Sequence, residues 1–293
     1  MQLYLLRIIS LVVIALVYML FDVLNKRNVP SLFAYATLAY GVVLTILYFN
    51  SRLIIESVAI SAVILGIGYI FYKIGQLGAA DVIEFAALSL ILPLMQLPLI
   101  ASSTFQLQIP FVATLLINTG IVALIIVPIY YIPKAKAKLK KPLLSYVRRK
   151  NIFMAVLLAI VYAAFISFMI ILSGINYVGI AIVTVMAISS FLVMLFTVPI
   201  TYSMVEYVGV KQFDEGDIVA LNLMADKDIN SIKKKIKDFD RLLTEKIIKQ
   251  MKKEKIKDKF PVYKEAMPFA LPIFIALILS ILIGNLLFFI LAI

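Results

Sequence analysis

Acidic side chains are scarce in the first two thirds of the chain. Four of them precede residue 206, namely Asp22, Glu56, Asp81 and Glu84, and each lies within or at the end of a long apolar run. An ionisable group in such a run is costly to bury and is for that reason a functional candidate. Two carboxyl groups held together have a specific use, because they cannot both ionise easily and therefore share a proton. The ionised member can deprotonate a water molecule while the protonated member polarises an amide carbonyl, which is the chemistry of an aspartyl protease.

Asp22 and Asp81 are the best candidates for such a pair. Asp22 ends the first apolar run and Asp81 opens the fourth, so an alternating path across a membrane brings both to the same face. Glu56 begins the third run on the opposite face and has the position of an ordinary interfacial residue. Glu84 lies one turn beyond Asp81 and is either a third acid or a hydrogen-bond partner of the pair.

Two simpler interpretations of the pair stay open. Asp81 also fits an N-cap, since Asp often precedes a helix and the residues before it, Gly75 to Ala80, form a flexible approach. Asp22 also fits an interfacial salt bridge with Lys26 or Arg27, which lie about one helical turn away and would favour its charged form.

The chain contains no cysteine and no histidine. Disulfides, thiolate and imidazole metal sites, and Ser-His or Cys-His nucleophilic pairs are therefore excluded. Acid–base chemistry must come from Asp, Glu, Lys or Tyr side chains. We expect no metal and no cofactor.

The elements that carry these acids are predicted to be membrane helices. Of the 293 residues, 63 % are hydrophobic and 15 % are charged, against about 45–50 % and about 25 % in soluble domains. No charged residue occurs between Phe85 and Pro133 or between Asn151 and Val205, and each stretch is long enough for two helices of about 20 residues. Backbone groups in lipid must be satisfied within their own segment, which favours helices over strands. The expected fold class is an all-α polytopic membrane protein with about eight transmembrane helices, at 3–22, 31–49, 53–73, 82–100, 110–132, 152–172, 177–200 and 268–292.

Basic residues predict the orientation. They are concentrated at 134–150 and 206–265, and others bound the ends of the first three spans. An external N-terminus followed by eight spans places these clusters in the cytoplasm, as the positive-inside rule requires. The net charge of +12 is thus a topology signal, and we expect the basic loops to contact the surface of the lipid bilayer rather than nucleic acid.

Five parts of the chain follow from these spans: 1–132 with helices 1–5 and the aspartate pair, 133–151 as a basic cytosolic loop, 152–205 with helices 6–7, 206–265 as a small cytosolic α+β insertion, and 266–293 as the last helix. Within the insertion, residues 218–224 are apolar enough for a short strand. Apolar residues from Ile232 to Ile247 recur every three or four positions, which indicates one amphipathic helix over about 228–257.

Four motifs, in order along the chain, resemble those of the prepilin and preflagellin peptidases, a family of membrane aspartyl proteases of the GxGD type. Gly78-Ala79-Ala80-Asp81 looks like their Gly-x-Gly-Asp motif, and residues 22–30 are similar to their first-helix aspartate followed by basic residues and a proline. Residues 215–220 resemble a Gly-Asp turn in the cytosolic insertion of archaeal members. Residues 265–270 resemble the entry to their final helix. The resemblance covers most of the chain, and the interval 100–205 is the least matched.

The resemblance implies that Asp22 and Asp81 form a catalytic dyad. The implied substrate is a type IV pilin-like or archaellin precursor, whose N-terminal leader is cut at the cytoplasmic face of the cell membrane without a metal. A basic leader would be drawn by Glu84 and by the acidic turn at 214–217. Supporting or substrate-binding roles fall to the residues around the dyad: Glu84, Gly78, Ala80, Lys26 and Arg27.

The chain also departs from the family pattern. Ala80 replaces the second glycine of the motif, so a backbone needing φ > 0 there would be strained, and eight spans exceed the six expected of a compact archaeal member. Two rival classes remain. Presenilin-like intramembrane proteases share the Gly-x-Gly-Asp motif, but here Phe21 precedes the first aspartate where they typically have Tyr. An ion-coupled transporter or a non-catalytic membrane protein would place the acids near the bilayer midplane.

Overall fold

The computed structural model describes residues 2–25, 29–48, 51–74, 77–93, 109–173, 176–236, 239–254, 256, 258–264 and 269–291. This part of the chain forms twelve α-helices, two short strands and three single turns of 3₁₀-helix. In chain order the helices and strands are α1 (Gln2–Leu24), α2 (Ser31–Tyr48), α3 (Ser51–Lys73), α4 (Ala79–Ile91), α5 (Phe111–Lys138), α6 (Arg149–Ser173), α7 (Tyr177–Leu195), α8 (Thr197–Met204), β1 (Glu206–Gly209), α9 (Asp226–Lys235), α10 (Glu245–Lys253), β2 (Lys259–Val262), α11 (Ala270–Leu282) and α12 (Leu286–Leu291).

Helix dominates the structure, with 79 % of it helical. Two apolar helices, Ser31–Leu47 and Ala270–Leu282, are shorter than a membrane span, and the helices long and apolar enough to cross a membrane in the described part number five: Tyr4–Leu24, Ser51–Lys73, Phe111–Lys138, Arg149–Ile171 and Tyr177–Leu195. This is the architecture of an all-α membrane protein, which the composition predicts because so much apolar surface needs a lipid environment.

The central helix of the bundle is α4. It packs against α2 and α3 along its length and also contacts α1 and α5, and every residue from Glu84 to Leu92 is buried. Small residues permit this close packing. A Cβ atom on Gly68 of α3 would overlap the side chain of Val82, and one on Gly41 of α2 would lie 3.0 Å from the Leu90 Cβ. The acids at the start of α4 are therefore held in a tightly packed helix.

The fourth span expected at 82–100 is not one continuous helix. α4 ends at Ile91 after 13 residues, a rise of about 20 Å, and residues 94–108 lie outside the described part of the chain. Pro93 explains the end of the helix, because a proline disfavours the helical conformation in the residue before it, here Leu92. The Pro93 carbonyl accepts the backbone N–H of Phe111 at 2.9 Å, which joins the end of α4 to the start of α5.

The last expected span, 268–292, is two helices. α11 ends at Leu282 and α12 begins at Leu286, because Gly284 takes a left-handed conformation with φ +89°. Asn118 of α5 is fully buried and bridges the break. Its amide nitrogen donates to Ser280 Oγ and to the Gly284 carbonyl, both at 2.8 Å, and its oxygen accepts the Leu286 N–H at 2.9 Å. The backbone groups released at the break thus find partners within the bundle, as a membrane interior requires.

The seventh expected span, 177–200, is likewise divided around Phe196. Pro199 has no N–H to donate to the Leu195 carbonyl, so the helical hydrogen-bond ladder is interrupted there. The second piece, α8, continues to Met204 and packs against α5.

Residues 206–264, called here the polar module, have a hydrophobic core distinct from that of the bundle. Strands β1 and β2 pair antiparallel, with Glu206 opposite Val262 and Gly209 opposite Lys259. Phe260 lies at the centre of the core, its ring 5.6 Å from that of Phe213 and 6.3 Å from that of Phe239. The strand expected at 218–224 is reduced to single bridges at 218 and 219, followed by a turn of 3₁₀-helix at 221–223.

The amphipathic pattern at 228–257 forms two helices, α9 and α10, so the single long helix is wrong. Residues 241–243 are held in an extended conformation between them: the Val219 N–H donates to the Arg241 carbonyl, and the Leu243 N–H donates to the Asp217 carbonyl, both at 2.8 Å. This pairing replaces the helical hydrogen bonds. The apolar face itself is correctly predicted, since five residues of the pattern lie buried in the core of the module: Ile232, Ile236, Phe239, Leu243 and Ile247.

Candidate functional site

Asp22 lies two residues before the end of α1 and is 7 % exposed. Its Oδ2 accepts the backbone N–H of Ala270, the first residue of α11, at 2.9 Å. The first N–H groups of a helix lack partners within the helix and favour a negative charge nearby. Asp22 therefore connects the end of the first helix to the start of α11, which is 248 residues away in sequence.

Asp81 is the third residue of α4, and the N-cap position is occupied by Gly78. The Asp81 Oδ2 accepts the Gly78 N–H at 3.1 Å, so the carboxylate stabilises the start of its own helix from inside the first turn. The interpretation of Asp81 as the N-cap residue is therefore wrong, because Gly78 occupies that position. Asp81 still caps the helix, through its hydrogen bond from the Gly78 N–H.

Glu84 completes an acid cluster, defined here as Asp22, Asp81 and Glu84. Asp81 interacts electrostatically with Asp22, and Glu84 interacts electrostatically with both. Glu84 is 0 % exposed, and neither of its carboxyl oxygens has a hydrogen-bond partner among the residues that the structure describes. Three carboxyl groups therefore influence one another electrostatically at one end of the bundle, and backbone N–H groups donate to two of them, Asp22 and Asp81.

The wall of the cluster is aromatic and apolar. Tyr18, one turn before Asp22 on α1, is fully buried, and its hydroxyl interacts electrostatically with Glu84 and Asp81. The Tyr18 hydroxyl lies 3.0 Å from Thr37 Oγ1. Because the Thr37 hydroxyl donates to the Ala34 carbonyl at 2.8 Å, the Tyr18 hydroxyl is the donor to Thr37. The phenolic oxygen keeps its lone pairs for another donor.

The motif residues before Asp81 take ordinary backbone conformations. Ala80 is the second residue of α4, where alanine is favourable, so the strain expected from φ > 0 at this position is absent. Gly78 has φ −72° and ψ 149°, which any residue can adopt. Its requirement is steric, since a Cβ atom there would lie 2.8 Å from the Asp81 Oδ2.

Two groups of predicted residues lie apart from this geometry. Lys26 and Arg27 fall outside the described residues, so their supporting role and the salt bridge to Asp22 stay predictions. Glu56 lies in the first turns of α3 and accepts a hydrogen bond from Arg52 Nε at 2.9 Å, an ion pair of an interfacial kind.

Two acids of the turn at 214–217 share one lysine. Lys264 Nζ contacts Asp214 Oδ2 at 2.9 Å and Asp217 Oδ2 at 2.8 Å. Partial burial lowers the pKa of Lys264, but the hydrogen bonds to Asp217 and Asp214 outweigh burial, and the pKa lies above the usual lysine value. Gly216 has φ +90°, which a glycine provides without strain. This pairing compensates one of the three negative charges, those of Asp214, Glu215 and Asp217, that would attract a basic leader to the turn.

Two residues that contribute to the site region, Ala270 and Asn118, were not predicted from the sequence. The backbone N–H of Ala270 contacts Asp22, although the motif at 265–270 gives a signal only through its resemblance to a helix entry. Asn118 fixes the shape of α11 and α12, and its one signal in the sequence is a polar amide within an uncharged run. Polar side chains inside apolar runs thus indicate contacts even when they carry no charge.

No group of three or more metal-binding side chains lies close enough together, within the described ranges, to hold a metal ion. No protein-family model, no curated protein and no solved structure matches this chain.

Proposed function

We propose that this chain is a membrane-embedded aspartyl endopeptidase in which Asp22 and Asp81 are the catalytic pair. Its substrates are the precursors of type IV pilin-like proteins or archaellins, and it removes their N-terminal leader at the cytoplasmic boundary of the cell membrane. The motifs at 22–30, 78–81, 215–220 and 265–270 motivate the choice of substrate class. The observation that carries the proposal is the electrostatic interaction between two aspartates that lie 59 positions apart in a chain with so few acids before residue 206.

The chemistry follows from two carboxyl groups of unequal surroundings. The ionised carboxylate accepts a proton from a water molecule, and the water oxygen attacks the scissile carbonyl carbon. The other carboxyl donates its proton to the carbonyl oxygen as the tetrahedral intermediate forms. Collapse of the intermediate breaks the C–N bond, and the amine takes up the proton that came from water. One hydroxyl of the intermediate returns its proton to the other carboxylate, which forms the carboxylic acid product and restores the pair. Asp22, which accepts an N–H at the start of α11, has the better position for the ionised role.

The arrangement of helix ends supports the topology of eight spans with an external N-terminus. The end of α1, the start of α4 and the start of α11 meet at the acid cluster, which agrees with a cytoplasmic origin for α4 and α11. The polar module, which precedes α11, then lies in the cytoplasm. Since the chain has no cysteine, single cysteines test this cleanly. Lys141→Cys should resist an impermeant thiol reagent in intact cells, and Ser51→Cys should react.

The proteolytic proposal is tested with a panel of tagged pilin-like and archaellin precursors incubated with membranes that contain the protein. The wild type should shorten at least one precursor. Asp22→Asn and Asp81→Asn should each reduce the rate by at least about 100-fold, the lower range for loss of a general acid or base.

A matched control is Glu56→Gln, which neutralises an acid of the same part of the chain that is paired with Arg52. It should cleave at the wild-type rate. Cleavage by either aspartate variant at a rate near that of the wild type would refute the dyad. Failure of the wild type on every precursor would refute the substrate class.

An ion-coupled transporter is the second candidate, and the divided last helix favours it. Interrupted helices in a bundle often border ion sites in transporters, and Asn118 stabilises such an interruption here. Protein reconstituted in liposomes with a pH-sensitive dye inside separates the two classes. A peptidase moves no protons across the vesicle, whereas proton uptake abolished by Asp81→Asn would indicate transport.

A further inference from the structure

Glu84 is the least satisfied acid in the cluster. Asp22 accepts an N–H from Ala270, and Asp81 accepts one from Gly78. Glu84 is fully buried, and its two oxygens have no hydrogen-bond partner among the described residues. It is also subject to the negative charge of both aspartates.

These surroundings oppose an ionised Glu84. A buried carboxylate without donors or a cation has lost the solvation that stabilises its charge, and the usual outcome is that the group takes up a proton. The neutral acid has a different need, since its O–H must find an acceptor. The candidate acceptors are the groups that interact electrostatically with Glu84, namely the carboxylates of Asp81 and Asp22 and the phenolic oxygen of Tyr18.

Glu56 shows what the same side chain does when ionised. It lies on a partly exposed face of α3 and accepts a hydrogen bond from Arg52 at 2.9 Å. Glu84 has no such cation within the described part of the chain. Its complete burial also argues against direct capture of a basic leader, which would need an accessible carboxylate.

We propose that Glu84 carries a proton in the resting protein and donates it as a hydrogen bond to a carboxylate of the aspartate pair. It acts as a positioning residue, because this hydrogen bond fixes the carboxylates of Asp22 and Asp81 relative to one another. The positioning role rests on the proposed peptidase function, but the protonation of Glu84 does not.

The conservative variants distinguish a neutral acid from an ionised one. Glutamine has the shape of glutamate and donates an N–H, so Glu84→Gln replaces a neutral acid well and an ionised acid badly. Glu84→Leu removes the donor and keeps the volume approximately. If Glu84 were ionised and bound a basic leader, Glu84→Gln would instead raise KM for basic leaders.

Infrared spectroscopy detects the proton without any substrate. Protein labelled with carbon-13 glutamate should show, at neutral pH, the carbonyl stretch of a protonated carboxyl group shifted by the label. This band should be present in the wild type and in Glu56→Gln, and absent from Glu84→Gln. A spectrum without the band in the wild type, or with the band retained in Glu84→Gln, would overturn the proposal.

Kinetics test the positioning role on whichever precursor the wild type cleaves. Glu84→Gln should keep kcat and KM within about 3-fold, whereas Glu84→Leu should lower kcat by about 10- to 100-fold at little change in KM, the loss expected for one hydrogen bond to a charged group. An increase in KM limited to basic leaders in Glu84→Gln would contradict it. If the wild type cleaves no precursor, the peptidase proposal fails while the infrared result still decides the protonation of Glu84. If Glu84→Leu does not fold, Glu84→Gln and the infrared result still decide.

Discussion

The acid cluster in the bundle and the acidic turn of the polar module place carboxylates in opposite environments. At the turn, Asp214 and Asp217 share one lysine, Lys264, at 2.9 and 2.8 Å. In the cluster, Asp22 accepts the backbone N–H of Ala270 and Asp81 accepts that of Gly78. Lys264 thus compensates part of the charge of the turn, whereas Glu84 of the cluster has no hydrogen-bond partner among the described residues.

This difference suggests that the acids of the turn stabilise the fold, whereas those of the cluster serve a function. A carboxylate pair that shares one lysine at the surface stabilises a turn modestly. In the cluster, Asp22 and Glu84 are buried, and burial beside other acids opposes ionisation and costs folding free energy. Carboxyl groups placed together in this way are typical of active sites, where one group must be protonated while its neighbour is ionised.

The largest expected effect comes from neutralising the pair. Asp22→Asn and Asp81→Asn should lower the cleavage rate by at least about 100-fold. Either variant should keep or raise the midpoint of thermal unfolding in detergent, because the amide still accepts the backbone N–H and the repulsion between acids is removed. Asp217→Asn should do the reverse, with normal cleavage and a less stable module. A matching loss of stability in the two cluster variants would show that the acids are structural.

The next effect tests the packing that holds Asp81 in position. Gly68→Ala should destabilise the bundle by about 1–3 kcal/mol, the usual cost of overpacking, because the new Cβ would overlap the side chain of Val82. Gly66→Ala is the matched control on the same helix, since nothing lies within 4 Å of its Cβ position. Thermal unfolding in detergent measures both. Adding Val82→Ala to Gly68→Ala should restore part of the lost stability. If it restores none, the overlap with Val82 is not the cause of the destabilisation.

A smaller effect is expected at Gly78. Gly78→Ala keeps an allowed backbone conformation, but its Cβ would lie 2.8 Å from the Asp81 Oδ2 and displace the carboxylate. We expect a fall of about 10-fold in the cleavage rate, as for loss of one hydrogen bond to a charged group, with little change in unfolding. Gly209→Ala, where the Cβ position has no neighbour within 4 Å, should leave the cleavage rate unchanged. Equal rates for the two variants would show that the Asp81 carboxylate tolerates the shift.

The smallest effect is expected at Lys264. Lys264→Met should destabilise the polar module by up to about 1 kcal/mol, the upper range for partly exposed ion pairs. Since the Lys264 pKa is raised by folding, its stabilisation is fully present below the ordinary lysine pKa and is lost as pH rises through the value in the folded protein. Chemical denaturation at neutral and strongly alkaline pH measures this. The variant should show a smaller alkaline loss than the wild type.

Much of the architecture could be predicted from particular residues. The uncharged runs after Phe85 and Asn151 predict membrane helices, and α5, α6 and α7 begin within a few residues of the expected positions. The proximity of Asp22 and Asp81 could be anticipated from orientation alone, because alternating spans bring the end of the first and the start of the fourth to one face.

The remaining features depend on contacts between distant residues. The hydropathy pattern does not predict the break between α11 and α12 at Gly284, because apolar residues continue on both sides of it. The amide of Asn118 that stabilises the break is 166 positions away in sequence. The division between α9 and α10 is similar, since the pairing of Leu243 with Asp217 overrides a regular amphipathic pattern. The complete burial of Glu84 follows from the central position of α4, which its own sequence does not specify.

The hydrogen bonds of Asn118 have a consequence for biogenesis. α11 has 13 residues, about 20 Å of helix, and is too short to cross about 30 Å of hydrocarbon alone. We therefore expect it to enter the bilayer cooperatively, docking on an α5 that is already inserted. Because the N–H of Ala270 reaches Asp22 only after this docking, Asp22 acquires this contact only once α11 has been synthesised, and a nascent chain that lacks α11 should pass through the insertion machinery without a completed acid cluster.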